Sequence, residues 1–286
     1  MQLPRIDRFL TVHVVSRIIR QPLAHPRLAV PILMYHSISD DRELGVPPYY
    51  RLATPPALFR QHLDLLIQEG FQVVSLFDAL KSLTHQGREH RKPVVITFDD
   101  GFHDFLLEAW PSLSASGLTA TVFLPTNYIS DSRRTFVGRD CLTWSEVRQL
   151  RLSGVHFGSH THTHPKLIQL QEHHLREELL QSRLELEQRL QEPIHSFCHP
   201  YAFPSADPSY VSLYRRLLAD CGYSIGVTTT VGRATPASDC LMLPRIPVNG
   251  SDDPALFAAK LRGAYDWTAS VQSALKRVKR VLHCRS

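Results

Sequence analysis

Residues Pro93–Gly101 read P-V-V-I-T-F-D-D-G, a run of β-branched and aromatic residues that drives into two adjacent carboxylates and a glycine. Val94–Phe98 is apolar apart from Thr97, which predicts a short strand buried on both faces, of the parallel-sheet kind. At its carboxyl end Asp99 and Asp100 must point in different directions, because successive side chains alternate across a strand. Two neighbouring acids in a buried setting are costly unless each has a partner. One economical arrangement has one acid ligating a metal and the other working beside it as a base. The plainer alternative is a solvated Asp-Asp-Gly turn, since DG is a common turn dipeptide.

Outward from this strand the chain alternates. Ala29–Tyr35 predicts a buried strand ending in His36. Thr54-Pro55-Pro56 starts a helix that Gly70 stops, and proline suits the first turn. Phe71–Val74 is a strand, and Ser75 caps a short helix through Leu83. Phe105–Ser116 predicts a helix ended by Gly117, and Thr119–Leu124 a strand. Thr143-Trp144-Ser145-Glu146 is a capping box. Val155–Ser159 is a strand running into His160. Glu172–Gln191 is a long charged helix, mostly a solvated outer face. Ile194–Cys198 is a strand leading to His199-Pro200-Tyr201, Asp207-Pro208 opens another helix, and Tyr223–Thr229 and Leu241–Val248 are apolar. Strands alternating with helices, without internal repeats, argue for a single α/β domain. His36, Asp99, Asp100, His160 and Tyr201 all fall at predicted strand ends, the rim on which βα barrels build active sites.

A length of 286 residues permits one large α/β domain, and 43% hydrophobic with 21% charged residues is the composition of a soluble globular chain. The net charge of +5 is concentrated at Arg5–Arg27 and Lys276–Arg285, which favours an anionic surface near the chain ends over a basic active site. Nucleic-acid binding is not expected, since these basic residues lack interleaved aromatics. Five widely spaced cysteines without CxxC imply neither a disulfide framework nor a zinc knuckle. Met1–Arg20 is interrupted by charges and does not read as a signal peptide, and no run of about 18 apolar residues exists. The expectation is a cytoplasmic protein, peripheral on the inner membrane face if its basic ends bind lipid; the alternative is that both terminal helices pack on their own domain. The ends divide off as an amphipathic segment, 1–28, and a basic helix, 263–286, around a domain of residues 29–262.

Gly158–Pro165 reads G-S-H-T-H-T-H-P. On a strand its three histidines would share one side; on a helical turn His160 and His164 would share a face and His162 would point away. A chain with 16 histidines forms some clusters by chance. Two imidazoles at i,i+4 plus one carboxylate from another strand nevertheless make a three-ligand set for Zn²⁺ or a similar ion, with positions left open. Asp100 completes that set.

Thr97–Gly101 followed by H-T-x-T-H-P at His160–Pro165 resembles the polysaccharide deacetylases of carbohydrate esterase family 4, the NodB-homology domain. Phe197–Ala202 resembles the family's third motif, and Leu243–Val248 a segment of its exopolysaccharide, poly-N-acetylglucosamine-directed subgroup. The resemblance covers roughly Val30–Val248. It implies a distorted (β/α) barrel of about seven strands and a metal-dependent hydrolase that removes N-acetyl groups from amino sugars. It implies Asp99 as general base, Asp100, His160 and His164 as ligands of one divalent ion (Zn²⁺, with Co²⁺ or Ni²⁺ as alternatives), and a Tyr201 N–H at the oxyanion. His162 lies between ligands as a neighbour. Where many members place an arginine in the third motif this chain has Cys198, and Arg245 is the expected replacement that orients Asp99. No C-terminal histidine matches the family's usual acid: His283 lies in a basic terminal helix. Tyr35-His36 fits the subgroup's arrangement and makes His36 the expected acid, with His199 in reserve. Pro200, Tyr201 and Trp144 are the expected sugar contacts, with Tyr49, Tyr50 and Phe203 as further rim aromatics; Trp144, in a capped helix, reads equally as core packing. The expected partner is a carbohydrate, an exopolysaccharide or a lipid-linked glycan. Two alternatives follow from the departures: a catalytically silent glycan-binding member, or a deacylase of a different amide or ester on a lipid-linked sugar.

Overall fold

The computed structural model describes residues 5–19, 29–84, 92–269 and 271–272. The opening stretch lies in the strand Lys92–Phe98, whose last five residues are all buried. In chain order the main strands are β1 (Ile32–Tyr35), β2 (Phe71–Val73), β3 (Lys92–Phe98), β4 (Thr121–Leu124), β5 (His156–Ser159), β6 (Ser196–Cys198), β7 (Ile225–Val231) and β8 (Leu243–Pro247). Their order is β1-β8-β7-β6-β5-β4-β3, and β3 then pairs with β1 to close a ring of seven. Every pairing is parallel. β2 is an outlier that pairs only with the first residues of β3. A closed ring removes the sheet edges, and the seven-stranded (β/α) barrel expected from the motifs is the fold observed.

Strand alternation divides the core. Ile32, Val95, Phe123, Cys198, Val227 and Leu243 form a cluster inside the ring, closed below by Leu76, Ala79 and Leu83 of the helix Leu76–Thr84. The intervening residues, Leu33, Val94, Ile96, Phe98 and Val122 among them, pack outward beneath the surrounding helices. By the same alternation Thr97 and Asp99 continue the inward column of β3, and Arg245 that of β8. Register then aligns the rim. Tyr35 lies opposite Phe98, so His36 and Asp99 emerge side by side, and Phe197 lies opposite Ser159, so Cys198 and His160 do too.

Local chemistry sets the helix starts. Thr143 and Glu146 form the reciprocal capping box at Trp144–Leu152, and Asp207 caps Pro208–Asp220 by accepting from Ser209 and Tyr210 N–H. The expected helix over 105–116 begins instead as a π-helical turn, Phe105–Ala109, before the α-helix Trp110–Ala115. Pro111 explains part of this: it has no N–H to return to the preceding turn.

The N-terminal segment packs on this fold. It is helical over Ile6–Phe9 and Ser16–Ile19 with π-helical Leu10–Val15 between. Arg8 pairs with Asp253 at 2.5 Å, Tyr265 Oη donates to Asp7 at 3.1 Å, and Trp267 Nε1 donates to Thr11 at 3.1 Å. Residues 20–28, where the sequence suggests a boundary, and 273–286, which include Lys276–Arg285 and His283, lie outside the described residues.

The adjoining rim loop hangs on a buried histidine. Tyr35 Oη donates to His62 Nδ1 at 3.0 Å, and His62 Nε2–H donates to the Asp252 carbonyl at 2.7 Å. Burial pushes His62 down from 6.5 to about 4. The unfolded chain therefore takes up a proton below about 6.5 that the fold refuses until about 4. This contribution to stability is complete above pH 6.5 and declines by ~3 kcal/mol as pH falls to 4. Urea unfolding at both pH values should show that decline in the native protein and a smaller one in His62→Gln. Equal declines would show that His62 is not the titrating group.

Candidate active site

Four strand ends converge at the rim. After Asp99 the chain turns sharply: Asp100 and Gly101 both take left-handed backbone, φ 72° and 61°. A Cβ on Gly101 would meet Leu124 Cδ2 at 2.5 Å, so glycine is required there. This turn swings Asp100 toward β5 while Asp99 keeps its inward direction. Thr161, His164 and Tyr201 also have positive φ, so four of the strained non-glycine residues border one pocket. Such clustering marks functional sites.

The G-S-H-T-H-T-H-P stretch is neither strand nor helix beyond Ser159. Its two left-handed residues fold it so that His160 and His164 meet. The Nε2 atoms lie 3.2 Å apart, and they stand 3.5 and 3.4 Å from Asp100 Oδ1. These separations match the edges of a tetrahedron around an ion with bonds of about 2.1 Å, which measure about 3.4 Å. Asp100 Oδ1 is buried and accepts no hydrogen bond, as expected of an oxygen kept for a cation. His160 Nδ1–H donates to the Cys198 carbonyl at 2.8 Å, which leaves its Nε2 lone pair facing the other two donors. Burial works against charge on His160, yet Cys198 and Asp100 hold its proton well above the ordinary range. His164 is pushed down to about 4 by burial and by His160. The donor set fits a divalent cation.

Charge patterning alone does not reveal what shapes this turn. Glu178, on the long helix Glu172–Leu190, accepts from the His162 and Thr163 N–H groups at 2.9 and 2.8 Å and from the Thr163 hydroxyl at 2.5 Å. Ser182 on the same helix bonds Ser159 at 2.6 Å. The helix expected as mostly solvated therefore has a face that clamps the ligand loop. Glu178→Ala should weaken metal affinity about tenfold, with Glu178→Gln in between, measured by competition with a chromophoric chelator. Unchanged affinity in the alanine variant would show that the turn holds itself. His162 turns away to Thr126 Oγ1 at 2.9 Å and Glu185 at 3.5 Å.

Asp99 is held from inside the barrel. Arg245, fully buried, donates in a fork, Nη1 to Asp99 Oδ1 and Nη2 to Oδ2, both at 2.7 Å. Its other donors reach Thr228 O, Thr97 Oγ1 and Cys198 Sγ, each at 3.1 Å. All five guanidinium N–H groups are used. The Cys198 thiol in turn faces Asp99 Oδ2 at 3.4 Å. Burial alone would raise the Asp99 pKa, but Arg245 overcomes it and holds the carboxyl well below the usual range. His36 Nε2 stands 3.9 Å from Asp99 Oδ2. His36, Asp99, Arg245, Asp100, His160 and His164 are therefore brought together.

The expected sugar contacts divide. Tyr201 is half-exposed with its ring on His164, centroids 4.7 Å apart, and its N–H donates to no group among the described residues. Trp144 is fully buried and offers no face to a sugar; Trp144, Val147 and Leu150 form the core side of their helix, a spacing visible in the sequence. Pro200 is buried too and shapes the turn from below. His199, the reserve acid, bonds Tyr210 Oη at 2.9 Å and packs edge-on against Phe203 and Tyr214, so its ring belongs to an aromatic wall, as does buried Phe203. Tyr49 and Tyr50 remain exposed. Phe136 lies 4.9 Å from the His164 ring; it comes from the long loop after β4, where no periodicity signals it.

Fold and site together define a closed parallel barrel with a carboxylate–imidazole centre at the C-terminal ends of its strands. Residues 86–225 match the polysaccharide deacetylase family. A Bacillus subtilis protein described as "putative polysaccharide deacetylase YxkH" is 27% identical over 230 residues, 80% of this chain and 75% of that one. The Streptococcus pyogenes deacetylase PplD, solved in complex with acetate, is 26% identical with a TM-score of 0.70, covering 82% of this chain and 99% of its own. IcaB from Ammonifex degensii shares the fold at 22% identity and a TM-score of 0.68, covering 82% and 97%. The chain carries a polysaccharide deacetylase domain and is a hydrolase.

Proposed function

We propose that this enzyme removes N-acetyl groups from amino-sugar residues of a poly- or oligosaccharide in a reaction that depends on one divalent metal ion. The observation that carries this reading is the Asp99 carboxylate, fixed by the Arg245 fork at 2.7 Å, beside the donor trio of Asp100, His160 and His164. Asp100 Oδ1 and the two Nε2 atoms would hold the ion. When bound, such an ion supplies Lewis-acid polarisation of the amide and lowers the pKa of water toward ~7.

The chain's own residues divide the remaining work. Asp99 takes a proton from water as its oxygen bonds to the amide carbon. Tyr201 N–H donates to the oxyanion that forms, a contact of a kind worth roughly 10²–10³ in rate. His36 gives a proton to the nitrogen as the C–N bond breaks, because an amine leaves poorly without one. The products are acetate and a free amine. That PplD was solved with acetate supports this reading, as does exposed Tyr201 beside the ligands, a surface suited to a sugar ring. The silent-member alternative rests on the missing third-motif arginine, and Arg245 offers a guanidinium to the same carboxylate.

The test is acetate release from N-acetylglucosamine oligomers by chelator-treated protein, before and after adding Zn²⁺, Co²⁺ or Ni²⁺. Activity should vanish and return, and His164→Ala should purify with less metal. Full activity after chelation would remove the metal dependence, and no acetate from any N-acetylated glycan would remove the substrate class.

A further inference from the structure

The N-terminal helix is docked through one side only. Arg5, Asp7, Arg8, Thr11 and Val12 face the barrel's 251–268 region. On the opposite side Ile6, Phe9 and Ile18 are 65%, 60% and 66% exposed, with His13 and Arg17 exposed between them. Three large apolar side chains in a row on an already packed helix are not explained by packing among the described residues, which leave them exposed.

Charge points to what covers them. Residues 1–28 hold five arginines and one acid, and residues 273–286 hold five lysines and arginines and no acid. The whole net charge of +5 thus belongs to the two ends, and the residues between them carry an acidic excess. The described residues that adjoin the two ends meet at one place. Gln272 donates to the Thr229 carbonyl and accepts from Val231 N–H, each at 3.2 Å, beside the Trp267–Thr11 bond that anchors the N-terminal helix. Thr229 Oγ1 in turn donates to the Tyr201 carbonyl at 3.0 Å, so Gln272, the last described residue, is tied to the active-site rim.

We propose that the outer face of the N-terminal helix docks on an anionic lipid bilayer, with Ile6, Phe9 and Ile18 entering the interface and Arg17 between them meeting the headgroups, while Arg5 and Arg8 stay paired on the barrel side. An apolar stripe rimmed by basic residues binds in this way, and each Lys or Arg near an anionic surface adds about fivefold in affinity. No helix among the described residues is long and apolar enough to cross a membrane, so the contact is peripheral. The inference does not depend on the reaction catalysed.

The experiment is flotation of the full chain with phosphatidylcholine vesicles, with and without phosphatidylglycerol, at low and high salt. The protein should float with the anionic vesicles alone and less at high salt. The triple variant Ile6→Glu/Phe9→Glu/Ile18→Glu should bind at least about tenfold more weakly, with unchanged thermal unfolding, since all three side chains lie on the surface. Absence of flotation by the native chain, or equal flotation by the triple variant, would overturn the proposal. A native dimer in sedimentation that the triple variant dissociates would assign the face to a second copy instead and overturn it equally.

Discussion

Asp99→Asn is expected to lower kcat by about 10²–10⁴-fold, the usual contribution of a positioned general base, while bound metal stays at native stoichiometry. Asparagine keeps the volume and can still occupy the Arg245 fork on one side, but it has no charge to accept a proton. Metal content should survive because Asp100, His160 and His164 make a complete donor cluster, whereas Asp99, although close to His160 and Cys198, has both oxygens engaged by Arg245. The substitution also leaves a fully buried guanidinium without its counter-charge, so stability should fall by roughly 3–5 kcal/mol. Kinetics must therefore be measured below the variant's own unfolding transition, with elemental analysis on the same sample. Undiminished kcat in folded protein would remove Asp99 from the mechanism.

The second large effect concerns the group that holds Asp99. Arg245→Met fills much of the same space yet abandons a buried carboxylate, at a cost of roughly 3–5 kcal/mol. Arg245 is what keeps the Asp99 carboxyl below the usual range against burial. Without it the pKa of Asp99 rises, and the protonated form is no base. The acid limb of the kcat/KM profile should consequently move to higher pH, which a purely structural loss would not cause. Arg245→Lys should restore part of the limb's position, since it returns the charge without the fork. Native stability together with an unmoved limb would show that Arg245 does not govern Asp99.

Much of this was legible in the chain because the signals are local. Val94–Phe98 is apolar on both faces, so it had to be a central strand; the capping box at Thr143 and Glu146 and the Asp207 cap need only neighbours within three residues. The i,i+4 spacing of His160 and His164, with Asp100 after a strand, marked the centre through donor chemistry. Trp144 reads in the sequence either as a rim aromatic or as core packing in its capped helix, and the 144, 147, 150 spacing is the signal that agrees with its burial.

By itself the sequence determined which segments are strands, that they alternate with helices, and which acids and imidazoles stand at strand ends, since each follows from side-chain period and turn chemistry within a few residues. Only the tertiary structure decided that β8 closes beside β1 and brings Arg245 onto Asp99 across 146 positions of chain. It also decided that Glu178 bends the histidine loop and that Tyr35 hangs on His62. The physical reason is common to all three. A buried charge or strained turn is tolerated only where a distant partner satisfies it, and ring closure, which no local pattern encodes, selects that partner.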